Sequence, residues 1–552
     1  MKNSRFYILC GIILSMLLSA LDQTIVSTAM PQIVGELNGL SHLSWVFTAY
    51  MLASTVAVPI YGKLSDIFGI KKMYILAIFI FLLGSILSGM SQSMLQLIIF
   101  RAIQGIGGGA LMVNSIALIG DIFPPAERGK FQGVLGGVFG LASIGGPFLG
   151  GFITDLFSWR WIFYINLPLG LLAATVLFFA LPKIKASSQK KKIDYAGAVL
   201  ITLTLVPLLL ALVWGGSQYA WDSMQIIISF IVASLAFILF ILVEKKATEP
   251  ILSLDLFKNK VFTISVAATF LSSMGMFGAM MYIPVFAQGV IGVSATNTGM
   301  IMMPMMVSMI VASIISGQIV SRTGKYKALA VAGMAISALA MVFLSRIDVE
   351  TTKAYLSLGM VIMGSGLGLT MPIFNIIVQS AFSKERLGEV TAGTQLFRSI
   401  GGTVGAAILG GVMNSQLSKY LSGIEKDPFV ATLVRLDPGS EFSKINGDVI
   451  QGLLNPAAQE KIKLLLSQTP IALKAQLLEN FEKFLGIIKL GFANSIEQLF
   501  ITSGIIMSLA LVTVFFLPQI SLRKNNKNAL EETGLILETE LAQSDKEHEQ
   551  EL

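Results

Sequence analysis

One cysteine, Cys10, and two histidines, His42 and His548, are all that 552 residues offer of the side chains that most often hold metals or carry redox chemistry. Cys10 lies inside an apolar run, so a disulfide framework is excluded. The histidines sit in polar stretches without ligand-like company, so no metal site is expected. Charge is scarce too: 13% of residues are charged, about half of the roughly 25% usual in soluble domains. No Walker A sequence occurs. Gly105-x-Gly107-x-x-Ala110 formally satisfies a dinucleotide fingerprint, but it lies in an apolar stretch with no strand before it and fails that context. No nucleophile–base pair or metal cluster points to an enzyme. Neither nucleotide, nucleic acid nor any cofactor is therefore expected, and an ion gradient remains as the energy source.

What is present is hydrophobic length. Hydrophobic residues make up 54% of the chain, and apolar stretches of ~18 residues or more, each able to cross a bilayer, recur along almost all of it. The chain reads as an all-α polytopic membrane protein. Fourteen spans are expected at about 6–28, 44–61, 74–92, 96–120, 131–154, 162–181, 195–214, 225–244, 262–287, 297–319, 328–345, 354–379, 391–413 and 494–518, the seventh interrupted by Pro207. The basic start and first apolar run resemble a signal peptide, but the run is long and many spans follow, so an uncleaved first helix is expected. Lys63, Lys71, Lys72, Arg128, Lys130, Lys245, Lys246, Arg322, Lys325, Lys384 and Arg386 fall in one set of loops, whereas the short opposite loops hold only Arg160, Arg346 and Lys353. Positive charge marks the inner face, so both termini are expected in the cytoplasm of a bacterial-type cell membrane.

Glycines betray an internal repeat. Gly62, Gly69 and Lys72 recur as Gly317, Gly324 and Lys327; Gly105, Gly107 and Gly109 recur as Gly364, Gly366 and Gly368; Gly133, Gly145, Gly150 and Gly151 recur as Gly393, Gly405, Gly410 and Gly411. These pairs match spans one to six with spans nine to fourteen and leave two inserted. Two parallel six-helix halves around a central site form a transporter architecture. The expected division is a half at 1–182, two inserted helices with their loops at 183–260, a second half at 261–520 and a polar, solvated tail at 521–552. The second half includes an outer loop, 414–493. In it Pro456 and Pro470 stand where prolines start helices. Leu473, Leu477, Phe481, Phe484 and Ile488 then form a stripe expected over the outer leaflet or the cavity mouth.

Asp22 is a lone acid deep in the first span. A carboxylate there costs several kcal/mol and implies a function and a partner; Arg101 in span four is the candidate. Leu21-Asp22-Gln23-Thr24-Ile25-Val26 through Ala29-Met30-Pro31, Gly62-Lys63-Leu64-Ser65-Asp66-Ile67-Phe68-Gly69-Ile70-Lys71-Lys72, Arg101-Ala102-Ile103-Gln104-Gly105, Gly146-Pro147-Phe148-Leu149-Gly150-Gly151 and Trp159-Arg160-Trp161 follow in order on the right spans. Together they resemble the major facilitator superfamily, specifically the fourteen-helix drug:proton antiporters of the QacA/EmrB type. Ile67 and Ile70 stand where that pattern usually has arginine, and Ala142 where it often has glycine.

The resemblance implies the major facilitator fold and a proton-coupled multidrug exporter of amphiphilic or hydrophobic compounds, working by alternating access among membrane lipids. Asp22, Arg101 and Gln104 would couple protons, although a static bridge between two helices explains the same residues. Gly62, Asp66, Gly69, Arg128, Gly146, Pro147 and Gly150 would form the conformational gate. Asp66 is expected either to cap a neighbouring helix or to pair with Arg128. For Gly146 and Gly150 in span five, plain helix packing is an equal reading; for Gly62, Asp66 and Gly69 the alternative is an ordinary turn with surface charges. Arg398, Asn114 and Asn375 are candidate substrate contacts, Arg398 either for an anionic group or for backbone carbonyls. The alternative on the same fold is a flippase for lipid or lipid-linked precursors. Ten methionines crowd spans nine and ten, a soft surface that suits varied ligands.

Overall fold

In lipid every backbone polar group must be satisfied within its own segment, so apolar runs become helices. The computed structural model describes residues 2–37, 43–123, 125–181, 193–216, 218–293, 295–424, 427–431, 453, 456–467 and 471–519. It contains helices and no strand among them. They are α1 Lys2–Leu37, α2 Leu43–Phe68, α3 Ile70–Gly89, α4 Met94–Ile122, α5 Pro125–Leu156, α6 Trp161–Tyr164, α7 Asn166–Ala180, α8 Tyr195–Trp214, α9 Met224–Glu244, α10 Lys260–Gly289, α11 Ala295–Thr323, α12 Lys327–Leu344, α13 Lys353–Ser380, α14 Leu387–Tyr420, α15 Pro456–Ser467 and α16 Ile471–Phe515. Thirteen spans among the described residues are long and apolar enough to cross a membrane; α5, glycine-rich and 32 residues long, brings the bundle to fourteen. Several starts are capped as their sequences demand. Ser93, Asp194, Asn259 and Thr352 accept from the backbone N–H of Gln96, Gly197, Val261 and Tyr355.

The repeat has a packing cause. A Cβ on Gly105 or Gly109 would run into the α2 backbone at Tyr50 or Ser54, and one on Gly107 into α3 at Phe81. In the second half, Gly364 and Gly368 lie against the α11 backbone at Met305 and Met309, and Gly366 against α12 at Gly333 and Ser337. Alternate glycines thus let one central helix approach two neighbours closely, and both halves use the same device. The turns match as well: Gly69 (φ 89) and Gly324 (φ 67) take the left-handed backbone that only glycine adopts freely.

The halves meet along α2 against α14 and α5 against α11, with α4 also touching α14. The inserted pair packs on itself, and α8 leans on both α2 and α14. Pro207 lies within α8 without ending it.

The outer loop is smaller than the sequence suggests. α14 continues to Tyr420, and α16 is one 45-residue helix from Ile471 through the last span. Leu477, Phe481, Phe484 and Ile488 are buried, and Phe429 packs on Phe481 and Phe484 with ring centroids 5.1 and 5.3 Å apart. The stripe therefore faces protein, not lipid, a correction to the leaflet-facing expectation. A 3.6-residue apolar period marks a face to be covered without naming what covers it. The predicted start at Pro456 holds. The side chain of Leu473 and the tail 521–552 lie outside the described residues.

Candidate functional site

Asp22 on α1 is fully buried and accepts hydrogen bonds from two other helices, α4 and α7. Arg101 Nη1 donates to its Oδ2 at 2.5 Å, while Gln104 Nε2 and Asn166 Nδ2 donate to its Oδ1 at 2.7 and 3.0 Å. Arg101 Nη1 also reaches Gln104 Oε1 at 2.7 Å, because three residues on a helix bring both side chains to one face. Ser85 accepts from Gln104 at 3.1 Å and from Asn166 at 2.9 Å, and donates to the Phe163 carbonyl at 2.8 Å. The guanidinium carbon of Arg101 lies 4.4 Å from the centre of the Tyr50 ring on α2 and 5.9 Å from that of Phe163. Gly84 makes room for the network: a Cβ there would strike the Gln104 backbone.

Sequence reasoning brought Asp22, Arg101 and Gln104 together and missed Ser85, Asn166 and Tyr50 as their partners. Asn166 opens α7 between Ile165 and Leu167. A polar amide in that apolar setting was the available signal, because a buried amide needs partners.

At the end carrying the basic loops, Asp66 accepts from the backbone N–H of Gly388 at 2.9 Å and Glu389 at 2.8 Å. It caps the first turn of α14, in the opposite half, where free N–H groups and the helix dipole favour an anion. Gly62 is required there, since a Cβ would meet Ala392 and the Gly388 carbonyl. The alternative pairing with Arg128 does not occur. Arg128 donates instead to the carbonyls of Phe123 (2.9 Å) and Gly120 (2.5 Å), the last free acceptors of its own half's α4. Lys71 likewise donates to the Phe178 and Leu181 carbonyls at 2.6 Å and closes the end of α7.

Further contacts surround the cap. Lys63 pairs with Glu249 at 2.7 Å, Ser253 N–H donates to Glu389 at 2.7 Å, and Arg386 bridges Asp255 (2.8 Å) and Glu389 (3.1 Å). The Arg386 hydrogen bonds hold the Asp255 carboxyl below its usual range. Gln379 on α13 donates across the seam to the Ile116 carbonyl at 3.3 Å. Glu389 and Gln379 carried no sequence signal, because each bonds a backbone group distant in the chain.

Gly146 and Gly150 face α1 and lie against Thr24 and Thr28, while Gly145 and Gly151 face open space. Thr24 donates to the Ala142 carbonyl at 2.9 Å, so the α1–α5 crossing is tight immediately beyond Asp22. The side chain of Pro147 lies outside the described residues. Asn114 accepts from Ser65 at 2.6 Å and is buried between α4 and α2, and Asn375 is buried on α13. Arg398 on α14 reaches Gln395 at 3.3 Å, and Gln395 reaches Met112 Sδ on α4 at 3.5 Å. Its Nε and Nη2 are buried without a partner among the described residues.

At the opposite end Glu36 accepts from Arg160 at 2.5 Å and from Trp159 Nε1 at 2.6 Å. Those bonds hold its carboxyl below the ordinary value of 4.5. A carboxyl lowered on folding stabilises above its unfolded value and loses that contribution as pH falls through the folded one. Glu36→Gln is therefore expected to lower the melting temperature slightly at pH 7, as befits a half-exposed pair worth about 1 kcal/mol or less. The difference from the parent should shrink below pH 4; a constant gap would show that the carboxylate charge is irrelevant.

The Major Facilitator Superfamily profile matches residues 12–406. The chain is 43% identical to the multidrug transporter protein MdtP of Bacillus subtilis (strain 168), covering 96% of this chain and 95% of that one. It is 40% identical to multidrug resistance protein 3 of the same organism, over 76% and 82% of the two chains. Among solved structures, the proton:xylose symporter XylE superposes with a TM-score of 0.58 at 14% identity, covering 94% of this chain and 97% of that one, and shares the fold. The chain belongs to the Major Facilitator Superfamily: it is a multi-pass membrane transporter and not an enzyme.

Proposed function

We propose that this protein is a proton-coupled exporter of amphiphilic or hydrophobic compounds, with both termini cytoplasmic in the cell membrane and the halves 1–182 and 261–520 rocking about the central seam. The observation that carries the reading is the set of tasks gathered on α2. Tyr50 covers Arg101 of the buried Asp22 network, and sixteen residues further along Asp66 caps α14 of the other half. Protonation of Asp22 weakens its attraction for Arg101 and removes one acceptor from the network. The Tyr50 contact then passes that change to the helix that holds the seam shut. Asp22 in contact with Arg101 is the unloaded, closed-inside arrangement, and a proton arriving from outside releases it. The relatives' names, multidrug transporter and multidrug resistance protein, support the substrate class.

Efflux of a fluorescent hydrophobic dye from energised cells is expected to stop when a protonophore collapses the gradient while ATP is kept high. Efflux that survives on ATP would end the proposal. A second reading, a lipid or lipid-linked flippase, is favoured by the two nitrogens of Arg398 that have no partner among the described residues, which suit an anionic head group. A deletion strain with altered envelope lipids and unchanged drug sensitivity would select it.

A further inference from the structure

Between the halves, away from the capped end, lies a cavity of about 380 Å³ walled by α2, α10, α14 and the inserted α8. That volume is within the usual range for small-molecule sites, about 300–1,000 Å³. Among the described residues, no lining residue is charged. The walls are apolar and aromatic, with Met51, Phe277 and Trp221 around it and the Tyr282 hydroxyl among its few polar groups.

The inserted pair is built to complete this cavity. Trp45 on α2 and Trp214 at the end of α8 stack edge to face at 5.1 Å, which docks α8 on the seam. The chain then turns sharply: Gly216 has φ 72, and its N–H donates to the Tyr219 carbonyl at 2.8 Å. A side chain on Gly215 would strike the Trp221 ring, so the glycine pair lets the indole fold back against the cavity. Trp221 is 42% exposed there, an aromatic lid with one face to the outside.

We infer that this cavity is a binding site for uncharged, largely apolar compounds, made by the inserted helices, with Trp221 as its lid. The inference rests on the export reading and names where an export substrate sits before release. With no acidic side chain among the described lining residues, a buried organic cation is costly here.

The test uses the full chain in lipid nanodiscs with Nile red as an uncharged probe and ethidium as a cationic one. Gly411 lines the cavity, and a Cβ there meets nothing within 4 Å, so the Gly411→Trp side chain starts into open space at the cavity wall. It is expected to weaken Nile red binding at least about tenfold with an unchanged melting temperature. Trp221→Ala is expected to speed Nile red release at least about threefold, because it opens the lid while leaving the walls. If Gly411→Trp fails to fold, Trp221→Ala decides alone. Nile red affinity and release rate unchanged in the variants, or ethidium bound by the parent as tightly as Nile red, would overturn the inference. Asp22→Asn separates the two readings. It should bind Nile red like the parent while exporting none, so loss of coupling and loss of the cavity site are seen independently.

Discussion

Replacing Asp22 by asparagine is expected to abolish gradient-driven dye efflux while leaving the protein inserted and able to bind its substrate. The carboxylate accepts from Arg101 through one oxygen and from Gln104 and Asn166 through the other. An asparagine keeps one acceptor oxygen and turns an NH₂ group toward either the guanidinium or the two amides, donor against donor. Breaking a buried ion pair by removing one partner typically costs about 3–5 kcal/mol, and asparagine, retaining one set of bonds, should fall at or below the lower end. Folding therefore suffers without being lost, and a melting curve in detergent measures how much. Transport fails for a different reason: the amide cannot take up and release a proton. Export that remains concentrative and dependent on external pH in Asp22→Asn would move the proton carrier to another residue. Asn166→Ala gives the complementary check, since it deletes one donor to Asp22 and leaves the titrating group. It should keep coupled export with a shifted pH profile.

The second large effect is expected at Asp66. Hydrogen bonds to charged groups contribute about 1.5–3 kcal/mol each, and Asp66 accepts two from the first turn of α14. Losing about 3 kcal/mol from one of two interconverting states moves their ratio by more than about a hundredfold, since 1.4 kcal/mol is tenfold. Asp66→Ala should accordingly depopulate the arrangement closed at the basic end. Thr391 is buried near this closure, where it accepts from Gln379 at 3.0 Å. In a Cys10→Ser background, Thr391→Cys should react slowly with a membrane-impermeant maleimide in inside-out vesicles and much faster once Asp66→Ala is added. Gly62→Leu should do the same by steric means, because its side chain meets Ala392. Equal labelling with and without Asp66 would show that the cap is surface decoration. Arg128→Ala, whose guanidinium bonds the Gly120 and Phe123 carbonyls of its own half, should leave labelling at Thr391→Cys near the parent level.

The residues of the sequence determined a good deal by themselves. Long apolar runs must become helices in lipid, because unsatisfied backbone is intolerable there, and that argument alone gives the polytopic bundle. The spaced glycines of Gly105–Gly109 and Gly364–Gly368 announced the duplicated halves, since close helix approach is a local requirement that local sequence must meet. Asp22 and Arg101 also identified each other, because two charges in an apolar bundle have few other partners. Only the tertiary structure decided the rest. Asp66 could have met Arg128 or a helix end, and the choice of the α14 N-terminus, 322 residues away, depends on how the halves pack. The stripe of Leu477, Phe481, Phe484 and Ile488 declared an apolar face, and the fold placed it against protein. Nothing in the sequence tied Ser85 and Asn166 to Asp22 until α3 and α7 were brought beside it. The cavity under Trp221 belongs to four helices distant in the chain, so no single stretch of sequence contains it. Periodicity and charge state what a segment must bury or pair; which partner it finds is a property of the assembled bundle.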